Sequence, residues 1–185
     1  MLIKRRIDQL IDYVDERNTD GSITDFYGIN INKEFMPTVA NVESVDPRKY
    51  KVVKANRFVF SGMQTGRDEC IRIGLYNGVN PIIISPAYST FEIKATDEVL
   101  PVYFFMLFLR SEMDRYGWFL SDSSVRANLD YDRFGEIEFK LPSIALQQKY
   151  VDLYSAIMRV EKLKAQIKDI CPILIKGSLA EAMRN

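Results

Sequence analysis

The stretch Leu141–Leu174, LPSIALQQKYVDLYSAIMRVEKLKAQIKDICPIL, decides how the chain is built. Leu153, Ala156, Val160, Leu163, Ile167, Ile170 and Leu174 alternate steps of three and four residues, with Tyr150 one turn ahead of them. That spacing lines one side of an α-helix, the pattern of a helix that packs lengthwise on another helix. Arg159, Glu161, Lys162, Lys164, Lys168 and Asp169 stand between and predict a solvated back. A narrow apolar seam with a charged back suits a strut or an oligomerisation arm. An ordinary amphipathic helix lying on its own domain has the same pattern. Pro142 marks the start, and Pro172 is expected to end or kink the helix, leaving LIKGSLAEAMRN as a short tail.

The 185 residues bound one medium domain, or a domain with an appendage, large enough to bury a core. Apolar residues at 47% and aromatic residues at 12% argue against disorder. Basic and acidic residues balance at 25 each, so the distribution of charge is informative and the net charge is not. The absence of histidine removes the commonest general base and metal ligand, and no metal-ligand cluster is expected. Cys70 and Cys171 lie far apart and read as free thiols of a reducing compartment. MLIKRRIDQL lacks a signal peptide's apolar centre, and the apolar run Val99–Leu109 is too short to span a bilayer. The expectation is a soluble cytoplasmic protein with no membrane association.

Upstream of the long helix, Ile3, Ile7, Leu10, Ile11 and Val14 predict an amphipathic helix over residues 3–16, closed by a turn at Asn18–Ser22. Phe26–Ile31 alternates weakly as a strand, and Pro37 and Pro47 bracket an irregular connection. VVKANRFVFSG, CIRIGLY, PIIIS and YSTFEIK then predict a compact mixed or antiparallel sheet between residues 50 and 95, with a hairpin at Asn77-Gly78. Val99–Tyr116 predicts a buried helix, with Pro101 in its first turn and Gly117 just past its end. Trp118–Asn128 reads as a polar loop and Glu136–Leu141 as a last strand. The fold class is α+β: a sheet with packed helices, followed by a long coiled-coil-type helix.

Between Arg48 and Arg72, seven basic residues (Arg48, Lys49, Lys51, Lys54, Arg57, Arg67 and Arg72) face only Asp68 and Glu69. A local excess of five positive charges is the footprint of phosphate contact, and equally of a solvated sheet face. Within it, Ser61-Gly62-Met63-Gln64-Thr65-Gly66-Arg67 is a loop whose glycines admit close backbone approach. Gln can pair with adenine and Arg with guanine in the major groove, while Ser, Thr and Met meet smaller features. A second polar loop contains Ser121, Ser123, Ser124, Arg126 and Asn128. No catalytic site is legible. Asn80-Pro81-Ile82-Ile83 holds half of an amino-methyltransferase motif and lacks the second proline and the aromatic, and Gly62–Gly66 lacks the Lys-Ser/Thr ending of a P-loop. Neither G-x-S-x-G nor a spaced carboxylate pair is present.

Together, NRFVFSGMQTGRDECIRIGLYNGVNPIIISPAYSTFEI at 56–93, SSVRANLDYDRFGEIEFKLPSIALQQKYV at 123–151 and the opening RIDQLIDYVDERN resemble the specificity subunits of type I restriction-modification systems. The resemblance covers nearly the whole chain and rests on the order and spacing of segments. It implies a target-recognition domain over residues 1–142 and a spacer or dimerisation helix with tail over 143–185. The chain is then a non-catalytic subunit without a cofactor of its own, reading one half of a bipartite target in double-stranded DNA. Methylation and cleavage belong to partner subunits, the methyltransferase docking on this chain and the restriction subunit joining through it. Ser61, Met63, Gln64, Thr65, Arg67, Ser123, Ser124, Arg126 and Asn128 are the expected base or near-base contacts, and Lys51, Lys54 and Arg57 the phosphate contacts.

The chain departs from the family in carrying one domain and one helix where the family carries two of each. A homodimer through Tyr150–Leu174 with a palindromic target is therefore expected, and a different half as partner is the alternative. The family's Leu-Pro…Gln stretch falls on Leu141, Pro142, Gln147 and Gln148, but Leu146 stands where a Glu is usual, which bears on methyltransferase docking. The reading from another class is a protein-interaction adaptor that assembles through the same helix without reading DNA.

Overall fold

The computed structural model describes residues 2–63, 65–122 and 127–182, the side chains of Arg67 and of residues beyond 176 excepted. In chain order the elements are β1 (Ile3–Arg6), α1 (Ile7–Leu10), β2 (Ile11–Tyr13), β3 (Phe26–Ile29), β4 (Phe35–Pro37), a 3-10 turn at Pro47–Lys49, β5 (Lys51–Val53), β6 (Phe58–Ser61) and α2 (Thr65–Asp68). They continue with β7 (Arg72–Leu75), β8 (Ile82–Ile84), β9 (Ser89–Ile93), α3 (Pro101–Leu107), α4 (Ser111–Leu120), α5 (Tyr131–Glu136), β10 (Glu138–Leu141) and α6 (Ile144–Ala182). Two units result, Met1–Gln147 and Gln148–Asn185. The α+β class and the long last helix stand as expected.

The first unit is layered around β6. Strand order β2-β9-β6-β7 makes one antiparallel sheet and β4-β3-β8-β5 a second, mixed one. Alternation along β6 sends Phe58 and Phe60 to one face and Val59 to the other, and all are buried. Phe58 stacks on Phe91 at 4.9 Å and Phe60 on Phe134 at 4.1 Å, in a cluster with Phe104, Phe108 and Phe139 from the helices and β10. Val59 packs in a smaller cluster with Ile29, Val53, Ile82 and Ile84 of the second sheet.

Several expectations are corrected. Residues 3–16 are not one helix. β1 pairs antiparallel with β10, β2 pairs with β9, and a single turn between them buries Ile7 and Leu10. Backbone pairing with a distant strand overrides a helical spacing here. Asn77-Gly78 is not a hairpin. β7 pairs with β6 and β8 with β3 and β5, so the segment crosses between sheets, and neither residue has the positive φ that a type I′ turn requires. Val99–Tyr116 is broken at Phe108–Arg110 into α3 and α4, which keeps Phe104, Phe108 and Met113 all in the core. Pro101 does open α3, but Gly117 lies inside α4, where a Cβ would strike the Ile71 side chain. The loop expected from Trp118 therefore begins only at Ser121, and the last strand at Glu138, because α5 occupies Tyr131–Glu136. Pro172 neither ends α6 nor leaves a tail: the helix continues to Ala182.

Pro142 closes β10 as expected, and Gln147 fixes the strand-to-helix step. The fully buried amide accepts from Leu100 N at 3.0 Å and donates to the carbonyls of Glu98 and Pro142, each at 2.8 Å. Gln147→Ala removes the partner of three part-buried backbone groups and is expected to lower stability by about 2–3 kcal/mol, read by urea denaturation. An unchanged midpoint would mean that solvent reaches those groups.

Among the described residues, no helix is long and apolar enough to cross a membrane. Within the second unit the seam side chains are solvent-facing, Leu153 at 59% exposure and Leu174 at 64%, and so are Ile157, Met158, Ile173 and Ile175. The apolar surface is broader than a strict seam.

Candidate nucleic-acid interface

The two polar loops singled out in the sequence meet. β6 ends at Ser61, which pairs with Arg72, and the next carbonyl, Gly62 O, accepts from Leu129 N at 2.8 Å and from Thr65 Oγ1 at 2.9 Å. Leu129 is the residue at which the second loop returns. A Cβ on Gly62 would fall on the Leu129 carbonyl, so only glycine permits this approach. The second loop is closed at its own base: Asp122 N donates to Asn128 O at 2.8 Å and Asn128 N to Asp122 Oδ1 at 3.0 Å. Ala127 sits at φ 45°, and Asp130 then caps α5 by accepting from Arg133 N at 2.8 Å.

Rigid elements hold both loops. Asp114 on α4 accepts from Lys33 Nζ at 2.8 Å and from Ile71 N at 2.9 Å, tying the helix to the turn before β7. Arg133 donates to Leu120 O at 3.1 Å across the ends of α4 and α5. Tyr131 lies edge-on to Tyr13 at 5.8 Å, and burial first, then nearby Tyr13 and Asp12, push its phenol up to about 12. An unfolded tyrosine titrates near about 10, so Tyr131 favours the fold fully below that pH and progressively less as pH rises towards 12. Tyr131→Phe is therefore expected to flatten the alkaline fall of the melting temperature, and a slope equal to that of the unmodified protein would sink the assignment.

Of the expected base contacts, Met63 is exposed and Asn128 is partly exposed at the loop base. Ser61 and Thr65 are buried, Thr65 as the hydroxyl that closes the Gly62 turn, so both shape the loop from inside. Gln64, Ser123, Ser124 and Arg126 lie outside the described residues, as does the Arg67 side chain.

The phosphate assignments are corrected at two of three positions. Lys51 is 3% exposed, with Nζ donating to Tyr13 Oη and Tyr88 O at 2.8 Å and lying 3.4 Å from Asp15. Arg57 is 5% exposed, donating to Glu92 at 2.8 Å, Glu16 at 2.9 Å and Val52 O at 2.8 Å. These cations join the two sheets and face inward. Lys54 is about half exposed and pairs with Glu16 at 2.6 Å. Arg48 pairs with Asp46, so together with Asp15, Glu16 and Glu92 four carboxylates from outside the 48–72 window offset most of its apparent excess of charge.

Sequence reasoning missed the aromatic end of α4, where Tyr116, Trp118 and Phe119 stand exposed, Phe119 at 81%, around a shallow depression shared with Glu112 and Arg115. The solvated alternation of its charged residues gave no sign of it. It also missed Asp122, although an Asx residue opening a serine-rich turn is a signal of loop closure. Burial, the largest influence, pushes the Cys70 thiol up, the opposite of what a nucleophile requires. Among the described residues, no group of three His, Cys, Asp or Glu could hold a metal ion.

No family model matches the sequence, and no curated protein matches it. Solved structures do. The S subunit of the type I restriction-modification system from M. genitalium superposes with a TM-score of 0.56 at 17% identity, over 91% of this chain and 42% of that one. The HsdS subunit from Thermoanaerobacter tengcongensis gives 0.55 at 16%, over 97% and 49%. A chain from a structure on assembly and conformational transition of the type I R-M system gives 0.54 at 13%, over 85% and 38%. The fold is that of type I specificity subunits, and the chain spans less than half the length of each of these structures.

Proposed function

We propose that this chain is a DNA-specificity subunit of a type I restriction-modification assembly, reading one half of a bipartite target. The observation that carries the reading is the Leu129 N to Gly62 O hydrogen bond, which holds the end of β6 against the residue at which the second polar segment returns. Met63, Gln64, Arg67, Ser123, Ser124, Arg126 and Asn128 are the base-reading candidates, with Lys54 on a phosphate and Ser61 and Thr65 holding the first loop's shape. The chain is non-catalytic: methylation and cleavage are the work of a docked methyltransferase and a restriction subunit. Through α6 a second copy supplies the other half, which makes the target palindromic.

Methylation mapping tests this, in cells expressing the chain with its neighbouring methyltransferase against cells expressing the methyltransferase alone. A new bipartite motif is expected, and Gln64→Ala or Arg67→Ala should relax it by about 1–3 kcal/mol of discrimination. The exposed Trp118 and Phe119 favour a second reading, a protein-interaction adaptor. No new motif despite a verified complex with the methyltransferase would establish that reading instead.

A further inference from the structure

We infer that Arg72, braced by Asp68, is a further base-reading residue, whose guanidinium takes the paired acceptors of a guanine edge in the major groove. The inference rests on the DNA-reading proposal above and adds to it a residue pair and the base that the pair selects.

Arg72 opens β7 opposite Ser61, the last pair of the β6–β7 ladder. Gly62, bonded to Leu129 N, follows directly on the facing strand. Alternation puts the Arg72 side chain on the face that carries Ser61 and Val59. The strand is anchored just before it: Ile71 N donates to Asp114 Oδ1 at 2.9 Å, and Lys33 Nζ holds the same carboxylate at 2.8 Å. α2 is tied to this corner at both ends. Thr65 Oγ1 donates to Gly62 O at its start, and Asp68 Oδ2 accepts from Arg72 Nη2 at its end. Backbone, turn and brace are therefore all in place around one guanidinium.

Arg57 shows what a purely structural guanidinium looks like in this fold. It is buried, and it reaches Glu92, Glu16 and Val52 O. Arg72 keeps 22% of its side chain exposed, and its acceptor among the described residues is Asp68. Its Nε is buried without a hydrogen-bond partner. A buried donor without an acceptor is costly to keep. A planar fork of five donors held by one carboxylate has capacity left for a second pair of acceptors. Guanine O6 and N7 present such a pair. The Asp68 carboxylate orients the fork, which lowers the ordering cost of binding. Its charge also offsets the pull of Arg72 on phosphates, so the pair favours a directional contact over a general electrostatic one.

The test uses the full chain co-expressed with its neighbouring methyltransferase. Methylation is measured at the motif and at each of its single-base variants, with DNA affinity and melting temperature measured on the same complexes. Arg72→Lys keeps the charge and loses the fork, so a phosphate contact would survive it and a bidentate base contact would not. Discrimination at one guanine should fall by about ten- to a hundred-fold, with the other positions unchanged. Asp68→Asn leaves an acceptor for Arg72 and removes a negative charge. It should weaken discrimination at that same guanine while strengthening sequence-independent binding, a pair of opposite signs that a merely structural role does not produce. Should Arg72→Lys fail to fold, Asp68→Asn carries the same single-position reading. Full preference in both variants, a loss spread evenly over all positions, or a recognised half without guanine would each overturn the inference. No motif with the unmodified chain would instead remove the DNA reading itself, so the two failures are told apart.

Discussion

Arg57→Ala is expected to destabilise the first unit by about 2–3 kcal/mol and to leave the salt dependence of DNA binding unchanged. The guanidinium reaches β9 through Glu92, the end of the β2 segment through Glu16 and β5 through Val52 O, so one side chain spans both sheets. Removing one partner of a buried ion pair costs about 3–5 kcal/mol. Glu16 and Glu92 are each more than a third exposed and rehydrate, which reduces the loss. A hydrogen bond from Lys54, then Arg57, holds the Glu16 carboxyl below the usual carboxylate range. Its contribution is therefore complete above the ordinary carboxylate pKa and is lost as pH falls through the depressed one. Lys54→Ala, at the surface, should cost no more than about 1 kcal/mol. As the candidate phosphate contact, it should lower the slope of log affinity against log salt by about one unit. Urea denaturation and salt titrations separate the two. The opposite pattern, a stable Arg57→Ala with a shallower slope, would return Arg57 to the DNA.

What the sequence discloses and what it hides follow from the range of the interactions involved. The seam of α6 is a local pattern: residues three and four apart share a face whatever the rest of the chain does, and the helix is where the pattern puts it. Leu141–Pro142 is equally local, since proline cannot continue the ladder of β10. The β-branched runs are strands, but their partition into two sheets depends on partners that composition does not specify, as Ile82–Ile84 shows by leaving β7 for β3 and β5. At Ile3–Tyr13 the partners are β10 and β9, about 80 residues or more away, and long-range pairing won over helical spacing. α5 carried a signal that was passed over, Asp130 three residues before Arg133, as an N-cap.

The site divides the same way. That two polar loops carry hydrogen-bonding side chains is visible in Ser61–Arg67 and Ser121–Asn128. That they touch is set by the end of β6 lying beside the residues that lead into α5, and only Gly62 hints at it. Whether a lysine or arginine faces outward depends on what lies opposite. Lys51 is flanked by Val52 and Val53 in a strand whose three residues are all buried, and Asp15, Tyr13 and Tyr88 wait for its ammonium. A window of charge counted along the chain has no access to Glu16 or Glu92.

Gly62→Ala should therefore act on both loops at once. The added methyl falls on the carbonyl of Leu129, which is main chain, and Leu129 itself is buried, so neither can move aside without cost. Relief requires parting the loops, which breaks the Leu129 N to Gly62 O bond and strains the turn that Thr65 closes. Overpacking and one lost buried hydrogen bond together suggest a destabilisation of about 2–4 kcal/mol. If the joined loops read DNA, the folded fraction of the variant should retain salt-dependent, sequence-independent binding and lose most of its preference for the methylated motif, because phosphate contacts hold while base contacts lose register. Asp122→Ala is the informative companion. It opens the second loop at its base but spares the junction, so its loss of preference should be smaller and its stability cost about 1 kcal/mol. A Gly62→Ala protein with an unchanged melting temperature would contradict the packing. One that is destabilised yet keeps full sequence preference would leave the packing in place and remove the joined loops as the reading surface.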